Sequence, residues 1–415
     1  MTGLSLARML LYAAGSIGTG AFYGFNNFVL PSILKDRGAA DLLIGILSST
    51  RSLEGAVIQP TIGVLSDRTW TRVGRRRPFI LAGIPISALF FLLAGFTQTL
   101  LPLAILIFLF SIFFNAALDP YAALLPDIAP EHERGRLSGL ATAFQLLSSV
   151  AFLGVVAVVS GTGHVPGAVF PLVALILVAS FAVTVVGVPE RRELDDQPAE
   201  RVHWRAYLHA LTSHRQAMRY LATLFVYQFG LNAILPYLVL FVTEDIHESP
   251  QTAFVLSAVL LLVMAVSAVG FGRLADRVGT RTVLACGWTL LAISAVGGVL
   301  VTTLPQTVAV VVIAGVGNGA ASAANWPLLT KLIPPELTGV FAGLKAAAES
   351  LAIPLSVVVA AELFLPRFGY RGIFAMLAIN ILVALGLLLR FVRVPEQQTS
   401  DVSRQTRCSV VASDI

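Results

Sequence analysis

Six ionisable residues fall inside stretches that otherwise consist of apolar residues: Arg51 and Glu54, Asp119, Lys345 and Glu349, and Glu362. Burying a charge in hydrocarbon costs a few kcal/mol or more, so such groups are candidates for function. Arg51 and Glu54 are spaced i,i+3, and Lys345 and Glu349 i,i+4, so each pair shares one helix face. A carboxylate in low dielectric resists ionisation, while a nearby cation favours it. Rearranging the cation therefore changes proton affinity, and the chemistry open to these groups is reversible proton binding. The alternative is two static intrahelical ion pairs. Asp119, followed directly by Pro120, is a rival proton site. Glu362 lies near a span end and reads as interfacial.

The elements that hold these groups follow from composition. The 415 residues are 56% hydrophobic and only 12% charged, with mean hydropathy +0.83. Soluble domains carry about 25% charged residues. Twelve apolar runs stand out, at 6–34, 42–66, 77–98, 101–125, 136–160, 166–188, 216–243, 251–273, 282–303, 306–331, 337–362 and 370–393. Each can cross about 30 Å of hydrocarbon as a helix, which takes roughly 20 residues. Lipid cannot satisfy unpaired backbone amides, so helices are expected, and the short alternating segments of a barrel are missing. No cleavable signal pattern is read at the start. The expected fold is an all-α integral membrane protein of twelve transmembrane helices.

With a cytoplasmic N-terminus, 22 of the 28 Lys and Arg residues fall in cytoplasmic segments and 4 in outer loops. That bias predicts both termini inside, in a cell (plasma or inner) membrane. The net charge of +5 then reflects topology, and no nucleic-acid partner is expected. Two unrelated cysteines, Cys286 and Cys408, argue against a disulfide framework or a zinc site.

The longest hydrophilic connection, 189–215, reads as a cytoplasmic linker between residues 1–188 and 216–393, with 394–415 as a cytoplasmic tail. The two sides are alike. "LLPDIAPEHERGRLSGL" (124–140) aligns on "LLTKLIPPELTGVFAGL" (328–344), and "GVLSDR" (63–68) on "GRLADR" (272–277), at similar offsets. Two matches in one order predict a repeat of six spans, a recurrent transporter plan. By that register Gln145 corresponds to Glu349 and Ala141 to Lys345, while Leu260 and Val263 correspond to Arg51 and Glu54. The charges have no mates across the repeat, which folding needs alone would not predict.

"GRLADRVGTR" (272–281) fits G-x-x-x-D-R-x-G-x-R between spans eight and nine, carrying Gly272, Asp276, Arg277, Gly279 and Arg281. Its counterpart, "GVLSDRTWTRVGRRRPFI" (63–80), carries Gly63, Asp67, Arg68, Gly74 and Arg75. This pattern resembles the loop signature of the major facilitator superfamily. The extended first copy and "ALLPDI" (123–128) resemble the sucrose and glycoside–cation symporter branch. Plant-type sucrose carriers have an Arg and an Asp where this chain has Ala122 and Ser111, and Asp119 stands nearby instead.

The resemblance implies two pseudo-symmetric six-helix bundles working by alternating access, with the loop motif taking part in the conformational change. It implies a small-molecule substrate, a sugar or glycoside, coupled to a proton or to sodium. Spans two and eleven would pack together, joining Arg51, Glu54, Lys345 and Glu349 in one cluster. Spans one, four, seven and ten would line the cavity with Thr19, Tyr23, Asn26 and Asn27; Asn115, Asp119 and Tyr121; Tyr227, Gln228 and Asn232; and Asn318, Asn325 and Trp326, with Gln145 added from the repeat. Amides, hydroxyls and rings suit a polyol; the alternative is that each amide joins helices.

A lipid-embedded monomer without cofactor or metal is expected. All six histidines map to loops, and "GVGNGAAS" (315–322) lies inside a span, where close helix packing explains it better than a dinucleotide loop. No Walker loop is present. An exporter of amphipathic drugs or metabolites by proton antiport shares the same fold expectation. An enzyme would need a nucleophile–base pair or metal cluster in the spans, and none is read there.

Overall fold

The computed structural model describes residues 5–49, 62, 65, 66, 69, 71, 73–160, 165, 167–188, 213–334 and 337–393. Every element of more than a single bridge among these residues is helical. The first apolar run forms α1 (Leu6–Gly24), a π-helical segment Phe25–Val29 and α2 (Leu30–Asp36). The second run opens as α3 (Asp41–Leu47), and most of the rest of it lies outside the described residues.

Then follow α4 (Arg77–Gly95), α5 (Leu100–Ile128), α6 (Glu131–Val159) and α7 (Val169–Gly187). Beyond the linker come α8 (Arg215–Ile234), a 3-10 turn Leu235–Tyr237, α9 (Leu238–Leu240) and a π segment Phe241–Asp245. The second half continues with α10 (Pro250–Val278), α11 (Thr280–Leu300) and α12 (Leu304–Thr330). It ends with α13 (Thr338–Val359), a π segment Ala360–Phe364, α14 (Leu365–Phe368) and α15 (Arg371–Phe391).

Ten helices among the described residues are long and apolar enough to cross a membrane, and they correspond to the third to twelfth apolar runs. Local sequence sets their ends. Ser249 accepts from the Thr252 amide and Pro250 opens α10, where no intrahelical N–H is needed. Gly279, at φ +91°, ends α10 and starts α11 in a conformation that glycine adopts without steric cost. The seventh run is not one regular helix. Pro236 removes an N–H and crowds the preceding turn, and the chain passes through the 3-10 turn there.

The packing repeats between halves. In the first, α1 packs on α6 and α7, and α4 on α5 and α7; in the second, α8 packs on α13 and α15, and α11 on α12 and α15. Across the halves, α6 packs on α10 and α3 on α13. With lipid as solvent, close packing rather than water exclusion holds helices together. The glycines of "GVGNGAAS" serve that end. A Cβ at Gly315 would meet Val263 at 2.9 Å, one at Gly319 would meet Ser267 Cβ at 2.7 Å, and one at Gly317 would meet the Gly287 carbonyl at 2.8 Å. α12 thus lies directly against α10 and α11.

At one end of the molecule the two halves are latched. Asp41 Oδ1 takes the Lys35 ammonium at 3.1 Å and the Tyr370 hydroxyl at 3.2 Å. The Tyr237 hydroxyl donates to the Asp41 carbonyl at 2.8 Å. A Cβ at Gly45, one turn on, would run into both Tyr237 and Val357.

Candidate functional site

A cavity of about 280 Å³ lies between the halves. Its polar lining comes from Tyr23 and Asn27 at the end of the first run, Ser48 and Ser49 after α3, Gln145 and Ser149 on α6, Asn232 after the middle of the seventh run, and Asn318 on α12. Phe28, Leu260, Met264 and Ile353 supply apolar walls. An apolar pocket with a few placed polar groups is the usual form of a small-molecule site. These groups are amides and hydroxyls, which donate and accept, with an aromatic ring beside them.

Irregular backbone helps to shape it. The π segment Phe25–Val29 spans Asn26 and Asn27. Asn26 is buried and donates to the Ser48 carbonyl at 2.6 Å, tying the first run to the second. Asn27, one residue on, faces the cavity.

Of the residues expected to line a cavity, Tyr23, Asn27, Gln145, Asn232 and Asn318 do so. The others are placed elsewhere. Thr19 is buried and donates to the Ser16 carbonyl at 3.0 Å. Asn115 donates to the Ser111 carbonyl on its own helix at 2.9 Å. Tyr227 stacks on Trp288 with centroids 4.9 Å apart, and its hydroxyl reaches Asn318 Oδ1 at 3.3 Å. The Asn325 carbonyl accepts from the Tyr220 hydroxyl at 2.9 Å. Trp326 is 38% exposed and is not among the residues lining this cavity. Tyr121 clasps α1, donating to the Tyr12 carbonyl at 2.9 Å.

Lys345 and Glu349 form the expected i,i+4 pair on α13, Nζ to Oε1 at 2.5 Å. Gln228 on α8 donates its amide to the same Oε1 at 2.9 Å. This third member was expected in the cavity wall; it turns instead to the carboxylate. The group sits one turn from the cavity on both helices: Asn232 follows Gln228 by four residues and Ile353 follows Glu349 by four, and both line it. Asp119 is half-buried on α5. Arg51 and Glu54 lie outside the described residues, although α3, just before them, packs on α13.

In the loop motif, Gly63, Asp67 and Arg68 lie outside the described residues, and Gly272 is part of α10. Gly74 closes a turn with Thr71. Arg75 and Arg76 both hold Asp127, at 2.9 and 3.1 Å. Asp276 and Arg277 are exposed. Arg281 donates to the Leu388 and Leu389 carbonyls at 3.3 and 2.8 Å, at the C-terminus of α15. Arg77, its near-mate in the first half, donates to the Val185 carbonyl near the C-terminus of α7. Each arginine places positive charge where a helix dipole favours it.

A family model described as MFS/sugar transport protein matches residues 11–373. Among curated proteins, an uncharacterised symporter of Synechocystis is 30% identical over 36% of this chain and 30% of its own length. Lactose permease of Lactobacillus helveticus is 29% identical over 42% of this chain and 28% of its own length. A sucrose transport protein of Oryza sativa subsp. japonica is 31% identical over 23% of this chain and 18% of its own length. The chain therefore spans less than a third of the length of these relatives. Among solved structures, a nucleoside transporter superposes with TM-score 0.73 at 11% identity, covering 93% of this chain and 100% of that one. A bacterial homologue of the iron transporter ferroportin, in an inward-facing state, gives 0.70 at 14% identity, covering 94% and 100%. These likenesses establish the fold.

Proposed function

Because the chain belongs to the MFS/sugar transport protein family, we propose that it is a proton-coupled sugar or glycoside symporter working by alternating access. The observation that carries this reading is the Lys345–Glu349–Gln228 group, one helical turn from a cavity lined by neutral amides and hydroxyls. The paired helix contacts of the two halves support two pseudo-symmetric six-helix bundles, residues 1–188 and 216–393, with the second run as one of twelve spans. The arginine bias favours cytoplasmic termini in a cell membrane. In that orientation the Asp41 latch closes the outer side.

Glu349 is the proton site in this reading. Sugar binds between the halves, Glu349 takes a proton, the latch opens or closes, and both ligands leave on the other side. Arg51 and Glu54 are proposed to join Glu349 through the contact of spans two and eleven. Asp119 is the second proton site to test. The names of the relatives suggest lactose and sucrose as first probes.

The test is uptake by purified protein in liposomes, with lactose, sucrose and monosaccharides, with and without an inward proton gradient. Gradient-dependent sugar accumulation is expected. No accumulation of any sugar, alongside efflux of amphipathic drugs from cells, would replace this reading with an exporter.

A further inference from the structure

We infer that Gln228 links the sugar cavity to Glu349, with the sign of symport: sugar binding and proton binding favour each other. This rests on the transport reading above and adds its coupling residue and its sign.

Glu349 Oε1 accepts from both Lys345 and Gln228. Both are charge-assisted bonds when the carboxylate carries its charge. The cavity residue Asn232 lies one turn on from Gln228, its Nδ2 donating to the Gln228 backbone carbonyl at 2.9 Å. One turn of helix is about 5.4 Å. A sugar hydroxyl seated at Asn232 is thus within side-chain reach of the Gln228 amide. When that amide turns to the sugar, Glu349 keeps Lys345 but loses one charge-assisted donor. The anion is then less favoured, and a proton from water is bound more tightly.

Linkage makes the effect reciprocal. A protonated Glu349 holds Gln228 less firmly, so the amide is released to the sugar. Protonation strengthens sugar binding by the same factor by which sugar strengthens proton binding. For one hydrogen bond to a charged group we expect about tenfold, which is about 1.4 kcal/mol. Antiport would need the opposite sign, with sugar strengthening the ionised form.

Among the described residues, no group besides Lys345 and Gln228 hydrogen-bonds to the carboxylate, although Tyr227 reaches the cavity-lining Asn318. From α8, Tyr220 and Tyr227 face Glu349. Their hydroxyls are directed to Asn325 and Asn318. α3 also packs on α13, and the charged residue it carries, Asp41, is engaged in the latch. Among the described residues, Lys345 on the same helix is the cation paired with Glu349.

The experiment measures protons taken up per sugar bound, by the full-length protein in weakly buffered detergent solution with an indicator dye, on adding lactose or sucrose. Wild type is expected to take up protons, and its sugar affinity to rise about tenfold as pH falls. Gln228→Met keeps the side-chain length and removes the amide. It is expected to bind sugar more weakly and to lose at least four-fifths of the protons per bound sugar, about fivefold. A residue that merely supports the fold would lower the amount bound and leave that ratio alone. A wild-type ratio in Gln228→Met overturns this inference and leaves the transport reading standing. Tighter sugar binding at alkaline pH in wild type overturns it without any variant. Binding without proton uptake in wild type overturns this inference and leaves sugar transport standing, whereas wild type that binds neither these sugars nor the monosaccharides overturns the transport reading and this inference with it.

Discussion

The Tyr370 hydroxyl donates to Asp41 Oδ1 at 3.2 Å, although the two residues are 329 positions apart and lie near opposite ends of the chain. Lys35 completes the contact, 3.1 Å from the same oxygen and 5.6 Å from the centre of the Tyr370 ring. A hydrogen bond of this kind contributes about 0.5–1.5 kcal/mol net, and more when one partner is charged. Tyr370→Phe should therefore shift the balance toward opening at this end by about three- to tenfold. Spin-label distances between the α2–α3 turn and the start of α15 report that shift. An unchanged distance distribution in Tyr370→Phe would show that the contact does not hold the halves together.

The latch should also be insensitive to ordinary pH. Burial pushes the Tyr370 hydroxyl up to about 12, against the lowering effect of Lys35. A group whose folded value is raised contributes fully below its unfolded value, about 10 for tyrosine. That contribution is lost only as pH climbs through the folded value. The same distance distributions should be constant from about pH 6 to about pH 9 as far as Tyr370 is concerned.

Arg281→Ala should destabilise the protein by about 1–2 kcal/mol, because it removes a cation from the carbonyl end of α15. The exposed Arg277→Ala should cost less than about 0.5 kcal/mol. Thermal unfolding in detergent distinguishes them. Equal losses would mean that the Arg281 contact carries no stability of its own.

Asparagines that look alike in sequence should separate by phenotype. Asn232 lines the cavity, so Asn232→Leu should raise the sugar KM about tenfold or more. The Tyr220 hydroxyl reaches both the backbone carbonyl and the side-chain Oδ1 of Asn325, so Asn325→Leu removes one of two acceptors and should cost about 0.5–1.5 kcal/mol of stability. Transport kinetics and melting curves on the same preparations make the comparison.

The apolar runs, the repeat and the Lys345–Glu349 pair were legible because each is local or periodic. The i,i+4 spacing alone put the two charges on one face. Gln228 was legible as a polar residue in a span but not as the partner of Glu349, because that bond joins positions 121 apart and depends on how α8 and α13 pack. Asn26 and Asn27 show the same difficulty at shorter range. Adjacent on the chain, they face a carbonyl and a cavity, and the π segment around them shifts the helical phase on which such an assignment would rest. Arg281 was read as part of a moving loop signature; its contact with the end of α15 is a three-dimensional fact that no spacing carries.

Sugar accumulation by Glu349→Gln in proteoliposomes with an inward proton gradient tests the central claim most directly. The wild type should concentrate sugar above the outside level and lose that ability when the gradient is collapsed. Glu349→Gln cannot exchange a proton at this site, so it should carry sugar only to equilibrium. Accumulation by Glu349→Gln at the wild-type level would contradict the assignment of Glu349 as the coupling site.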